Sequence, residues 1–213
     1  MCAPMNGNGN GNATPTPTPS YEIGPGVYSG TIKSIVWGAD LNILVTASDD
    51  KMVRWWDLRS RSPIAQHDLD GPVGSCELNA LSFNGSGGNG GSGGGNGGGG
   101  SAGGVLSVAA GNSAYFFDGL DPGRLVKRIK TPYEIASVAL HGGQRRFVTG
   151  GSADTWVRVY DFDEEKQLDV YKGHHGSIWS VSFSPDGKLY ATGSEDGTIK
   201  LWKFCGNSYG LWR

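Results

Sequence analysis

The sequence lacks several features that would each assign it to a broad class. No apolar run approaches the roughly 18 residues of a membrane-spanning helix, and residues 1–20 lack the basic start and apolar core of a secretory signal. The formal net charge is −2, so the basic field of a duplex-DNA binder is missing. The sequence therefore argues against a membrane partner and against direct nucleic-acid binding.

Cysteine is also scarce. The chain of 213 residues has three cysteines, Cys2, Cys76 and Cys205, and no C-x-x-C motif. An odd number at such wide spacing indicates a reducing compartment without structural disulfides.

Two segments contain no charged residue and hold 17 of the 37 glycines, namely residues 1–20 and 85–104. We expect residues 1–20 to form a disordered low-complexity arm, because they cannot bury enough apolar surface to offset the entropy of ordering. A site for proline-directed modification or a polyproline ligand is the alternative. Residues 85–104 are interpreted as a flexible insertion within a domain, and a linker between two domains is the alternative.

The rest of the chain repeats with a fixed period. Four strand–turn–strand segments end at Asp57, Asp118, Asp161 and Lys203, at steps of 61, 43 and 42 residues, and the first step becomes 41 without the 20-residue Gly tract. This period predicts the four-stranded blades of a β-propeller. We expect an all-β fold with four blades, at residues 28–69, 70–130, 131–172 and 173–213.

The last unit resembles a WD repeat, since Gly173-His174 opens it and three further residues stand at the expected places. The resemblance implies a buried hydrogen-bond relay of His174, Ser194, Asp196 and Trp202. The first unit keeps Ser48, Asp50 and Trp56, the third keeps Ser152 and Asp154, and the second is degenerate. Because the relay explains His174, we expect no metal at His174-His175. We also expect a solvated turn rather than a cation loop at residues 161–165, and no cofactor.

The strongest family signal lies in YKGHHGSIWSVSFSPDGKLYATGSEDGTIKLW (171–202) and the tail YGLWR (209–213). Together with SDDKMVRWWD (48–57), they resemble the C-terminal part of the serine-threonine kinase receptor-associated protein family, also called Unr-interacting proteins. The resemblance implies a scaffold without catalytic residues. It implies a role in the survival-motor-neuron complex and spliceosomal ribonucleoprotein assembly, in the cytoplasm and also in the nucleus, and in animals a role in receptor-kinase signalling. A WD-repeat subunit of translation initiation factor three is the rival assignment.

The family has seven blades, whereas this chain has four. Three explanations remain open: a shortened gene product, a half that pairs with another chain, and a four-bladed ring. In the ring, residues 21–28 would supply the outer strand of the last unit.

A partner-binding face is expected at the end of the propeller where the first strand of each blade starts. Counting from the WD motif assigns to it Thr31, Lys33, Asp49, Glu77, Asn79, Glu134, Ser177, Trp179 and Glu195. Trp179 is either an exposed hot spot or a ring packed between blades. The carboxylates favour a basic partner segment, with a plain solvated rim as the alternative. The pairs Lys127-Arg128 and Arg145-Arg146 are the only motif that favours RNA.

Overall fold

The computed structural model describes residues 21–79 and 104–204. The predictions for residues 1–20, for residues 85–103 of the insertion and for the tail YGLWR lie outside the described residues. The described part consists of strands and turns, with one 3-10 turn at Gly142–Gln144. The prediction of an all-β fold is confirmed.

The strands form four antiparallel sheets in which each strand pairs with its neighbours in sequence. The first sheet contains β1 (Ile32–Trp37), β2 (Ile43–Ser48), β3 (Met52–Asp57) and β4 (Ser62–Asp68). The second contains β5 (Val73–Asn79), β6 (Val105–Ala110), β7 (Ser113–Asp118) and β8 (Leu125–Lys130). The third contains β9 (Ile135–His141), β10 (Arg146–Gly151), β11 (Val157–Asp161) and β12 (Gln167–Tyr171). The fourth contains β13 (Ile178–Phe183), β14 (Leu189–Ser194) and β15 (Ile199–Lys203). Each sheet falls within one predicted blade range.

Turns with glycine separate the strands of the last blade. Gly187 and Gly197 have φ angles of 67° and 76°, which side chains with a Cβ rarely adopt. They close the turns between β13 and β14 and between β14 and β15. The Pro-Asp-Gly and Asp-Gly turns of the sequence therefore set these two strand boundaries.

Alternating side chains give each blade two faces, so that successive blades pack on one another. In β3, Val53 and Trp55 face the second blade, and Arg54 and Trp56 face the opposite way. Apolar clusters fill the three interfaces between successive blades. Phe116, Phe117 and Phe147 are fully buried in them, and each such side chain contributes on the order of 1.5–3 kcal/mol.

The inner strands β1, β5, β9 and β13 lie side by side in that order, so the blades form one row of a propeller. Residues 21–28 lie against the first blade, where the Tyr28 hydroxyl is 2.7 Å from Thr46 Oγ1 and the Arg61 guanidinium stacks on Tyr21. They form no strand. The four-bladed ring, in which this segment would pair with the last blade, is therefore wrong for this structure.

Candidate functional site

Each inner strand carries a β-bulge one residue after its start. The pairing register shifts there in all four blades. A bulge leaves one residue out of the ladder and re-aims its side chain. The residues skipped in the four blades are Lys33, Gly74, Ala136 and Trp179.

In every blade a backbone hydrogen bond ties the residue that precedes the inner strand to the turn after the second strand. Asp49 N donates to Thr31 O at 2.9 Å, and Glu195 N donates to Ser177 O at 2.9 Å. The same bond joins Gly111 N to Pro72 O and Ser152 N to Glu134 O, at 3.0 and 3.1 Å. One end of the propeller therefore presents the same set of positions four times.

The four bulge residues line one cavity of about 190 Å³ at this end. Of the predicted face residues, the cavity brings together Lys33, Asp49, Glu134 and Trp179. Thr31, Ser177 and Glu195 lie at the same end of the propeller, beside the first residues of β1 and β13. Seven of the nine predicted residues therefore share this end of the fold, and their role in binding stays a prediction.

Trp179 is 50% exposed, so it is not packed between blades. Lys33 Nζ lies 3.2 Å from Asp49 Oδ2 in an ion pair that is open to solvent, and such pairs stabilise a fold by at most about 1 kcal/mol. Glu134 and Glu195 are exposed as well. The cavity therefore offers an aromatic surface with carboxylates around it.

The placement of Glu77 and Asn79 on this face is wrong. Both lie farther along β5, where Glu77 pairs with Ser107 and Asn79 with Val105. Burial raises the pKa of the Glu77 carboxyl, which accepts a 2.8 Å hydrogen bond from Ser182 Oγ. Asn79 Nδ2 donates to Leu140 O. The degenerate second unit has no Gly-His dipeptide from which to count, so the two predicted positions lie five residues too far along the chain.

The residues that hold the corresponding positions in the second blade are Pro72 and Gly74, which sequence reasoning missed. Gly111 marks the turn between β6 and β7, and counting from that turn would have found them. The second blade therefore contributes backbone and no long side chain to the cavity.

The relay of the last blade runs through Thr192 rather than Ser194. The Thr192 hydroxyl is 2.7 Å from His174 Nε2 and accepts from Trp202 Nε1 at 2.8 Å. His174 Nδ1 is 3.1 Å from Asp196 Oδ2. Hydrogen bonds from Thr198 and from the His175 N–H hold the pKa of Asp196 well below its usual range. Ser194 Oγ instead donates to Gly176 O, so the predicted role of Ser194 is wrong.

The first blade repeats this arrangement with a different residue in the place of histidine. Trp56 Nε1 donates to Thr46 Oγ1 at 3.0 Å, and Tyr28 OH lies 2.7 Å from the same oxygen. Ser48 donates to Gly30 O, and Asp50 pairs with Arg54. Trp56 therefore has the place of Trp202 in this blade, whereas Ser48 and Asp50, the partners predicted for it, bind other groups.

The third blade lacks this relay among its described contacts. Its turn is one residue longer, so Gly151 stands opposite Ile135 where Ser194 stands opposite Ile178. Ser152 lies one residue beyond, and Asp154 forms an ion pair with Arg158. The assignment of Ser152 and Asp154 to a relay is therefore wrong.

Most of the basic side chains that favour RNA are paired. Lys127 contacts Glu165, Arg128 contacts Asp70 and Arg145 contacts Asp163.

The acidic loop at residues 161–165 is a turn, in which Asp161 Oδ1 accepts from the N–H groups of Asp163 and Glu164. Over residues 21–79 and 104–204, no group of three metal-ligating side chains occurs. The part of the chain that the structure describes has no helix long and apolar enough to cross a membrane.

The fold and its repeats define a WD-repeat propeller chain. The family model described as "WD domain, G-beta repeat" matches residues 24–57 and 165–203, which end at β3 and β15. The crystal structure of the mitotic checkpoint complex contains a chain with a TM-score of 0.63 at 15% identity, covering 83% of this chain and 51% of that one. At this identity the likeness shows the fold alone.

The resemblance to the serine-threonine kinase receptor-associated proteins is confirmed by the similarity of their sequences to this chain. The Bos taurus protein is 34% identical over 189 residues, which are 87% of this chain and 47% of that protein. The Dictyostelium discoideum protein is 32% identical, over 83% of this chain and 52% of its own length. Eukaryotic translation initiation factor 3 subunit I of Culex quinquefasciatus is 28% identical, over 84% of this chain and 52% of that protein. The chain thus spans about half the length of the curated relatives it matches.

Proposed function

We propose that the chain is a non-catalytic scaffold that binds proteins through the end of the propeller where Trp179 lies. The observation that carries this proposal is the cavity on which all four bulges converge. A half-exposed tryptophan beside such a cavity has the properties of a binding hot spot. No catalytic residue and no cofactor enters this function.

The partner segment that fits this surface is basic. Glu134 and Glu195 are exposed carboxylates, and Asp49 is held beside the cavity by Lys33. A Lys or Arg side chain has the charge that these carboxylates attract. Because three of the four residues in the basic pairs are bound to carboxylates, we propose protein rather than RNA as the direct ligand.

The assembly that we propose is a survival-motor-neuron-type complex that builds spliceosomal ribonucleoprotein cores in the cytoplasm, with the nucleus as a second location. The similarity to serine-threonine kinase receptor-associated proteins supports it. The weaker similarity to subunit I of translation initiation factor 3 favours a second candidate, a role in translation initiation.

Coprecipitation from the source cells separates the two candidates. A tagged full chain is expected to bring down subunits of the assembly complex at stoichiometric levels, measured by quantitative mass spectrometry. Recovery of small ribosomal subunits and initiation factor subunits instead would favour the second candidate. Recovery of neither set would overturn both.

A further inference from the structure

Three Ser-Pro or Thr-Pro steps lie in residues 21–79 and 104–204, and they differ in how accessible their hydroxyl groups are. Thr131 is buried, and its hydroxyl donates to two backbone carbonyls. Ser184 is half-buried in the turn between β13 and β14, where its hydroxyl is bonded to side-chain and backbone groups of the same turn. Ser62 is exposed, and so is the proline that follows it. Of the three, Ser62 is therefore the acceptor that an enzyme can reach in the folded protein.

Ser62 is the first residue of β4, the outermost strand of the first blade. Outer strands form the rim of a propeller, so the free edge of β4 does not depend on which blades stand beside the first. Every residue from 59 to 64 is exposed. Pro63 holds the residue before it in an extended conformation and has no N–H to pair at the edge. An extended segment at an open sheet edge is a form in which proteins take up a peptide.

Two arginines precede Ser62, and their guanidinium groups are available to an anion. Arg59 and Arg61 lie three residues and one residue before Ser62, and both are exposed. No ion pair of the described residues involves either of them. Arg59 acts on the carboxylates of Asp40 and Asp57 at longer range. The surroundings of Ser62 therefore favour an added negative charge through the two arginines and oppose it through the two carboxylates.

We infer that Ser62 is a phosphorylation site of a proline-directed protein kinase, and that Arg59 and Arg61 hold the phosphate. The Ser62 hydroxyl oxygen attacks the γ-phosphorus of ATP bound to the kinase, and the bond from that phosphorus to the leaving oxygen of ADP breaks. The hydroxyl proton passes to the base of the kinase. The product carries a charge of about −1.5 to −2, which a guanidinium group binds through strong, paired hydrogen bonds.

Ser60 is the competing acceptor, because its hydroxyl lies 2.8 Å from that of Ser62. Ser60 is followed by arginine rather than by proline, and it lies in the turn before the extended strand. These two differences assign the phosphate to Ser62. Its neighbour then has a different role, because the Ser60 hydroxyl can donate to the phosphate oxygens.

The phosphate changes how residues 21–28 are held on the first blade. The Arg61 guanidinium stacks on the Tyr21 ring, 4.5 Å from its centroid. A cation–π contact at an exposed site is weaker than a charge-assisted hydrogen bond to phosphate. Phosphorylation of Ser62 therefore draws Arg61 away from Tyr21, so that the modification at the rim is coupled to the segment that precedes the first blade.

Site-resolved mass spectrometry of the full chain, after incubation with a purified proline-directed kinase, Mg²⁺ and ATP, tests the assignment. We expect phosphate on Ser62 to appear at least roughly tenfold faster than on Thr131 or Ser184, because those hydroxyls become accessible only on local opening of the fold. The measurement resolves each site, so the Thr-Pro steps of residues 1–20 do not interfere. Absence of phosphate from Ser62 while the kinase modifies a standard Ser-Pro peptide in the same tube, or phosphate on Ser60 in its place, would overturn the inference.

A ³¹P NMR titration of the phosphorylated chain tests the role of the arginines. Guanidinium groups favour the doubly charged phosphate, so its second pKa should lie about half a pH unit below the ordinary value of about 6. Arg59→Gln and Arg61→Gln should each raise this pKa. Arg146→Gln is the matched control, since Arg146 is exposed on the third blade and should leave the pKa unchanged. A pKa that neither Arg59→Gln nor Arg61→Gln moves would overturn their role as the phosphate's partners.

Discussion

A threonine hydroxyl organises the buried polar groups of the last blade. Thr192 is fully buried and serves both His174 and Trp202, so one oxygen satisfies two ring nitrogens. Buried ring N–H groups need such partners, because an unpaired one costs about 1–3 kcal/mol. Thr46 does the same for Trp56 and Tyr28 in the first blade, which shows that the histidine can be exchanged while the threonine stays.

Replacing this hydroxyl should therefore be costly. We expect Thr192→Val to lower the free energy of unfolding by about 2–3 kcal/mol, because it leaves the nitrogens of His174 and Trp202 without their partner. Urea-induced unfolding measures this loss.

The third blade provides the control. Thr149 is fully buried, and its hydroxyl lies near that of Tyr133 without a hydrogen bond of ordinary geometry among the described residues. Thr149→Val should therefore change stability by no more than about 0.5 kcal/mol, or raise it. Equal losses in the two variants would mean that the relay contributes nothing specific.

Glu77 should make stability depend on pH. Burial raises its pKa in the folded state, so the folded protein binds more protons than the unfolded chain above the unfolded pKa of about 4.3. Stability is therefore expected to fall as pH rises from about 4 through the raised pKa. Glu77→Gln keeps an oxygen for Ser182 and removes this pH dependence, so its stability advantage should grow over that range. Urea unfolding at a series of pH values tests this, and parallel curves for the two proteins would contradict it.

The β-bulges of the four inner strands place one residue of each blade at the same cavity. Gly74, the bulge residue of β5, lies so close to β9 that an added Cβ would be 2.1 Å from Ala136 O. We expect Gly74→Ala to force β5 and β9 apart and to cost about 1–3 kcal/mol, measured by thermal unfolding.

Gly193 in β14 is the matched control for this change. Its nearest neighbour to an added Cβ is the Ser180 Cβ at 3.9 Å, which is ordinary contact. Gly193→Ala should therefore be neutral or slightly stabilising. If both alanine variants unfold at the wild-type temperature, the close approach of the two bulges does not constrain the fold.

The existence and order of the strands can be predicted from the sequence better than the position of each residue along its strand. The 41–43 residue period and the Asp-Gly turns place the strands of the last blade, because turn chemistry is local. The second blade lacks the Gly-His dipeptide from which the positions are counted, so the sequence assigns Glu77 and Asn79 to the wrong end of the propeller. The role of Thr192 was missed because Ser194 and Thr192 both lie near the turn and follow the same alternation along β14.

At the scale of the whole molecule, the row of four blades has two distinct kinds of surface. The end with the bulges is built from the same position of every blade, so it depends on the arrangement of all four inner strands. The outward faces of the first and last blades, where Ile35 and Leu201 are exposed, each belong to a single blade. Binding of a partner at the cavity therefore uses residues that are separate from those two faces.

The most direct test of the account is the affinity of a copurified partner for two alanine variants. Trp179 and Leu120 are 50% and 55% exposed, at opposite ends of the blades. We predict that Trp179→Ala weakens binding roughly thirtyfold, the loss expected for a hot spot, and that Leu120→Ala leaves it within about twofold. Unchanged binding by Trp179→Ala, or a loss confined to Leu120→Ala, would contradict a binding site at the bulge-lined cavity.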